Sequence, residues 1–285
     1  MDRKKKWSVA RKFALVVLVL MTVSAVFDGA VLSLGLTQKV KAVNDIAESY
    51  TNAFRVINSD DPIPSSEKVE TASQPETVVP EGKVVYLTFD DGPSKFTPKL
   101  LEILRKYDVK ATFFVVNTKY VDLLPEMVAE GHVIGVHTES HEYQTIYSSE
   151  EAYFQDFKLM YDKVYELTGV QTTLMRFPGG SSNTVSSFNP GIMTRLSKLV
   201  TEYGLQYFDW NVDSMDATRA KTAKDVFEKV KAGLLTQNCS VVLQHDLYEF
   251  SVDAVEMIIQ WGLENGYSFL PLEPSSPTCH QTIVN

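Results

Sequence analysis

An α/β fold is predicted, most specifically a deformed (β/α) barrel with seven or eight parallel strands, preceded by an N-terminal membrane helix. Three observations carry the barrel. Short β-like runs alternate with helix-period patterns from Val84 onward, polar residues collect directly after nearly every β-like run, and roughly 190 residues are available for the alternation. Alternation alone also fits an open, doubly wound sheet. Polar strand ends favour the barrel, because that fold builds its site from the C-terminal ends of its strands. So short a chain implies a trimmed barrel.

The elements follow in order. Residues 13–36 (FALVVLVLMTVSAVFDGAVLSLGL) carry one charge, Asp28, and six basic residues precede them: Arg3, Lys4, Lys5, Lys6, Arg11 and Lys12. About 20 apolar residues cross a bilayer, and a basic flank stays cytoplasmic. Residues 1–37 are therefore expected to be a cytoplasmic basic tail and transmembrane anchor, with the rest of the chain outside. The alternative is a signal cleaved near Ala30 and a secreted protein, which Asp28 disfavours by standing just before the cut. Residues 38–83 begin with a short helical patch and end in SDDPIPSSEKVETASQPETVVPEGK. Its four prolines and scattered acids predict an extracytoplasmic stalk.

Residues 84–285 are read as one folded domain. VVYLTF (84–89) is the first strand, TPKLLEILRKY a helix, and KATFFVV the second strand. A helix near Val121 to Glu130 leads to strand HVIGV. A long helix near Glu150 to Thr168 leads to TLMRF, and a helix near Gly191 to Tyr203 leads to LQYFDW. Two further repeats supply SVVLQ and YSFLPL.

Charge narrows the function classes. The chain has 27 Lys+Arg and 36 Asp+Glu, a net charge of -9, and from Phe13 onward the balance falls to -14. Such a surface repels phosphate backbones, so nucleic acid is not expected as a partner. Two cysteines, Cys239 and Cys279, exclude a disulfide-dense scaffold and a four-cysteine zinc site. Free thiols are the default for them, and a Cys239–Cys279 disulfide in an oxidising exterior, which would require the tail to fold back, is the alternative. His132 is read as a packing residue, and His280 as a surface residue.

Five strand ends carry chemistry. The first ends in Asp90-Asp91-Gly92-Pro93, where a bend can bring two adjacent carboxylates to one site. The third ends in His137-Thr138-Glu139-Ser140-His141. If one helical turn follows the strand, both imidazoles face one way and, with a carboxylate, make a divalent metal site with open positions. Glu139 is expected to be solvated, and the same ligand set also suits iron in an oxygenase. The fourth strand leads into Arg176-Phe177-Pro178-Gly179-Gly180, where an arginine can pair with a carboxylate and glycines allow close approach of backbone N–H groups. The fifth ends at Asp213, and the sixth contains Leu243, His245 and Asp246, offering an acid–base pair.

This ordered set resembles the polysaccharide deacetylase family, the NodB-homology domain of carbohydrate esterase family 4. Thr88-Phe89-Asp90-Asp91-Gly92-Pro93 and His137-Thr138-x-x-His141 carry the resemblance, which spans about Val84 to Leu272. It implies removal of acetyl groups from N-acetylated sugars. Asp91, His137 and His141 would bind one divalent ion, Zn²⁺ ahead of Co²⁺, Ni²⁺ or Mn²⁺. Asp90 would be the base, Arg176 would hold it ionised, and the Gly179 N–H would stabilise the oxyanion. Leu243 would line the acetyl pocket, with His245 as the acid and Asp213 orienting it. Two departures concern substrate fit. Gly179 stands where the family usually has an aromatic, and Ala217 where a tryptophan is common; Phe177, Trp210 and Met215 are the candidate replacements. Anchoring outside a bacterial membrane points to peptidoglycan, with another N-acetylglucosamine polymer second and an idle glycan-binding module as the non-enzyme alternative. Oligomeric state is left open.

Overall fold

The computed structural model describes residues 77, 78 and 80–285. The expected anchor and nearly all of the expected stalk lie outside these residues. Among the described residues no helix is long and apolar enough to cross a membrane.

The strands are β1 (Lys83–Asp90), β2 (Thr112–Val115), β3 (Val133–Val136), β4 (Leu174–Met175), β5 (Gln206–Tyr207), β6 (Val212–Asp213), β7 (Cys239–His245) and β8 (Tyr267–Phe269). They form a parallel sheet in the order β5-β4-β3-β2-β1-β7-β6, and β8 pairs with the first half of β1. The helices are α1 (Thr97–Lys106), α2 (Leu124–Ala129), α3 (Tyr143–Ile146), α4 (Glu150–Thr168), α5 (Ile192–Glu202), α6 (Ala223–Leu234) and α7 (Glu249–Glu264). Their ends follow local chemistry. Ser149 caps α4 by accepting from the Ala152 N–H, Gly169 ends it at φ 71°, and Thr222 with Asp225 forms a capping box at α6.

Strand alternation sorts side chains into two layers. Val85, Leu87, Phe89, Phe113, Val115, Ile134, Val136 and Val242 face the helices in the main core. Val84, Tyr86, Phe114, Leu174, Val241 and Leu272 form a second, smaller cluster with Phe208. Each fully buried Leu, Val or Phe contributes about 1.5–3 kcal/mol. Continuing the second register along each strand brings Thr88 and Asp90 on β1, His137 after β3, Arg176 after β4, and Leu243 and His245 on β7 to the C-terminal end. Gly135 belongs to the same series. A Cβ there would stand 2.6 Å from the Phe114 ring, so glycine lets that ring fill the sheet.

One predicted strand divides. LQYFDW and the following NVD read as a single run, but the chain leaves β5 at one sheet edge and reappears as β6 at the other. The Phe208 N–H donates to the Met175 carbonyl and the Asn211 N–H to the Val241 carbonyl, so residues 208–211 step across the opening between β5 and β6. The C-terminal tail lies against that step. Asp209 donates its N–H to the Thr278 carbonyl at 3.0 Å, and the His280 ring stacks on Tyr207 at 3.7 Å. The tail thus folds back, and Cys279 packs against the same cluster as Cys239, both as free thiols. His132 is a buried packing residue edge-on to Phe113, with Nδ1 accepting the Ala111 N–H.

Candidate active site

The C-terminal strand ends bring together Asp90, Asp91, His137, His141, Arg176 and His245. Asp91 sits just past β1 at φ 68°, a left-handed conformation that turns its carboxylate away from the strand register. Gly92 follows because a side chain there would collide with the Asp246 carboxylate. Oδ1 of Asp91 lies 3.4 Å from Nε2 of His137 and 3.4 Å from Nε2 of His141.

The two histidines converge without the expected helical turn. Thr138 (φ 71°) and His141 (φ 56°) bracket a bend, and Asp156 of α4 holds it by accepting the N–H groups of Glu139 at 2.6 Å and Ser140 at 3.1 Å. Asp156 was not legible in the sequence, since nothing local tied it to residues 16 positions away. The Glu139 side chain bonds to Asn117 at the surface, away from the ligand candidates.

Arg176 is fully buried, and each of its nitrogens is used. Nη1 donates to Asp90 Oδ1 at 2.8 Å and Thr88 Oγ1 at 2.7 Å; Nε donates to the Phe208 carbonyl and Nη2 to the Asp209 carbonyl. Burial raises the Asp90 pKa above the ordinary carboxylate value, and Arg176 opposes that shift most strongly. With Oδ1 engaged, Asp90 Oδ2 faces His137 Nε2 at 3.9 Å. The carbonyl of Arg176 accepts from His137 Nδ1 at 2.8 Å. Burial drives the His137 pKa down to about 3, so this ring is neutral at pH 7, with its proton on Nδ1.

That tautomer tests the metal reading. The Nε2 lone pair of His137 points at Asp91 Oδ1, a buried acceptor with no hydrogen-bond donor among the described residues. Two acceptors at 3.4 Å repel each other unless a cation lies between them. Asp91, His137 and His141 place one ligand atom each within 4.8 Å of one another. The donor set suits a divalent ion.

His245 is the register partner of Asp90, one strand over. The orienting carboxylate is Asp216, which corrects the expectation for Asp213: Asp216 Oδ1 lies 2.8 Å from His245 Nδ1, and Oδ2 accepts the His245 N–H at 2.7 Å. Asp213 ends β6 and its Oδ1 accepts the Met215 N–H at 2.7 Å instead. The left-handed turn at Met215 (φ 61°) swings the chain back so that the carboxylate of the next residue, Asp216, reaches the histidine. Ser251 of α7 donates to Asp216 at 2.6 Å.

Gly179 is exposed, its N–H makes no hydrogen bond among the described residues, and its φ is +77°. Leu243 is buried two residues before His245, on the same side of β7. Of the candidate aromatic replacements, Phe177 is fully buried against Tyr153 and Tyr207 and cannot line a groove. Trp210 packs behind Gly180, against Arg176.

Fold and site together define a barrel hydrolase with carboxylates and histidines gathered at its strand ends, and the chain belongs to the polysaccharide deacetylase family, whose sequence profile residues 77–190 match. Among curated relatives it is 32% identical to a peptidoglycan-N-acetylglucosamine deacetylase of Bacillus cereus over 91% of this chain and 92% of that protein. It is 31% identical to a putative polysaccharide deacetylase of Bacillus subtilis over 70% of each chain. Among solved structures, the catalytic domain of a peptidoglycan N-acetylglucosamine deacetylase from Eubacterium rectale superposes with a TM-score of 0.73 at 51% identity, covering 75% of this chain and 99% of that one.

Proposed function

We propose that this chain is a metal-dependent hydrolase that removes N-acetyl groups from peptidoglycan amino sugars, cleaving a linear amide rather than a peptide bond. One observation carries the metal: the Nε2 atoms of His137 and His141 each lie 3.4 Å from an undonated, buried carboxylate oxygen of Asp91. Similarity to proteins named as peptidoglycan N-acetylglucosamine deacetylases supports the substrate. Zn²⁺ is the first candidate, with Co²⁺, Ni²⁺ and Mn²⁺ as alternatives. The apolar run at 13–36 supports a single-pass anchor that presents the domain to the wall from the outer face of a bacterial membrane.

Asp91, His137 and His141 hold the ion, which when bound supplies a lowered pKa for water and a polarised acetyl carbonyl. Asp90, its Oδ1 fixed by Arg176, takes the water proton on Oδ2. The Gly179 N–H is free to donate to the oxygen that becomes negative. His245 is protonated at neutral pH, with a pKa raised to about 9. Burial pulls it down, but the Asp216 hydrogen bond and charge, followed by Asp90 and Asp91, outweigh that. It gives its Nε2 proton to the departing sugar nitrogen, leaving acetate and a free amine. Leu243 bounds the acetyl methyl.

The test is acetate release by the full chain in detergent, from peptidoglycan and from a chitooligosaccharide, with added Zn²⁺ or chelator. Zn²⁺-dependent acetate from peptidoglycan is expected. A folded, metal-loaded chain that releases none from either polymer overturns the reading and favours a glycan-binding module.

A further inference from the structure

The reaction described above leaves Tyr143 without a part. This residue opens α3 two positions after His141, and its ring centre lies 5.0 Å from that imidazole. It also stacks on Tyr147 at 6.3 Å with the rings 7° from parallel. Tyr147 is an anchored neighbour, since it is fully buried and its hydroxyl donates to the carbonyl of Pro178 at 2.7 Å. The stack therefore fixes Tyr143 relative to the loop that starts at Pro178.

Gly179 shows where the hydroxyl points. A Cβ built on Gly179 would lie 3.7 Å from the Tyr143 hydroxyl oxygen and 3.7 Å from a methyl of Val185. The same Cβ would press on that of Asn183 at 3.2 Å, and φ of +77° adds strain for any L side chain. A side chain at 179 is thus disfavoured by backbone and packing together. The space it would enter is bounded by a tyrosine from another element and by Val185, which is 40% exposed. The Tyr143 hydroxyl makes no hydrogen bond among the described residues, although the ring is half-buried. A phenolic hydroxyl can donate to a ligand oxygen.

We propose that Tyr143 is the specificity-determining contact to the N-acetylated sugar, its ring forming the groove wall beside Gly179 and its hydroxyl donating to an oxygen substituent of the sugar. This rests on the deacetylase reading above. An exposed apolar edge with one directed donor suits a pyranose, which presents C–H faces and hydroxyl or ether oxygens.

Steady-state acetate release by the full chain, wild type and Tyr143→Phe, tests this on a chitooligosaccharide and on a sugar-free aryl acetate. Phenylalanine keeps the ring stack on Tyr147 and His141 and deletes the donor. Loss of one substrate hydrogen bond predicts a rise in KM for the glycan of roughly five- to tenfold, with a smaller effect on kcat. The preference for glycan over aryl acetate, as a ratio of kcat/KM, is expected to fall by a similar factor. Zn²⁺ affinity, read by competition with a chromogenic chelator, serves as the control for an indirect effect through His141. An unchanged preference overturns the proposal, as does a loss shared by both substrates together with weakened Zn²⁺ binding. Wild-type protein that cleaves the aryl acetate but no glycan overturns the deacetylase reading itself, and the proposal falls with it.

Discussion

Asp216 grips His245 at two points: Oδ1 stands 2.8 Å from Nδ1, and Oδ2 accepts the backbone N–H at 2.7 Å. The carboxylate is almost wholly buried, and the bonds from His245 and Ser251 hold its pKa below the ordinary value against the opposing effect of burial. One residue therefore fixes the ring's rotation, its tautomer and its charge.

The first prediction concerns that charge. The His245 pKa is raised from 6.5 to about 9, so its stabilising effect is fully present below pH 6.5 and is lost as pH rises through about 9. In metal-free protein, Asp216→Asn is expected to lower the His245 titration midpoint and to cost about 1–3 kcal/mol at pH 6, with a much smaller cost at pH 10. Histidine NMR and urea unfolding at the two pH values check it. Equal losses at both would mean that the pair is not ionic. Asp213→Asn is expected to leave the midpoint close to that of wild type.

The metal site makes a second, two-sided prediction. In the absence of metal, Asp91→Asn replaces an acceptor facing the His137 lone pair with a group that can donate, so the apo protein is expected to be as stable as wild type or more so. Added Zn²⁺ is expected to raise the wild-type Tm by mass action, by about 2.7 kcal/mol of stability at 100-fold excess over Kd, and to do so weakly or not at all for the variant. Thermal melts with and without Zn²⁺ read both arms. A destabilised apo variant would contradict the lone-pair argument.

Arg176 supplies the third. Its guanidinium satisfies Asp90, Thr88 and two backbone carbonyls from a fully buried position. Removing it strands a buried carboxylate and two carbonyl oxygens, so Arg176→Ala is expected to lose about 3–5 kcal/mol in urea unfolding along with all activity. Arg176→Lys keeps the charge but not the fork, and is expected to fall between the two.

How much of this was readable from residue order depends on how each group reaches the site. Asp90, Asp91, His137, Arg176 and His245 stand at or just past strand ends, where strand alternation and a turn signal suffice to place them. Asp216 depends on a left-handed residue, Met215, that folds the chain back, and neither methionine nor the serine before it announces such a turn. The single strand read across LQYFDW failed because apolar content was continuous through a segment that crosses between sheet edges; pattern registers burial, and cannot say which neighbour provides it. Tyr143 lies on a four-residue helix, too short to leave a period. Asp209 was also passed over, being a carboxylate inside a run otherwise read as strand.

Asp209 is the basis of the last prediction. Its fully buried carboxylate accepts the Ser181 N–H at 2.8 Å, the Ser181 hydroxyl at 2.5 Å and the Gln281 N–H at 2.9 Å, while its own carbonyl accepts from Arg176. It joins the loop after β4, the C-terminal tail and the arginine that holds Asp90. Asp209→Asn preserves volume but removes the charge and sets an amide against N–H donors, so one or two of the three bonds must break. The expected cost is about 1–3 kcal/mol, with faster amide exchange confined to residues 179–186 and 278–285. Hydrogen exchange by mass spectrometry distinguishes this from general loosening. Exchange that rises equally in α4 and α7 would mean that Asp209 stabilises the barrel as a whole rather than tying the tail to the loop beside the site.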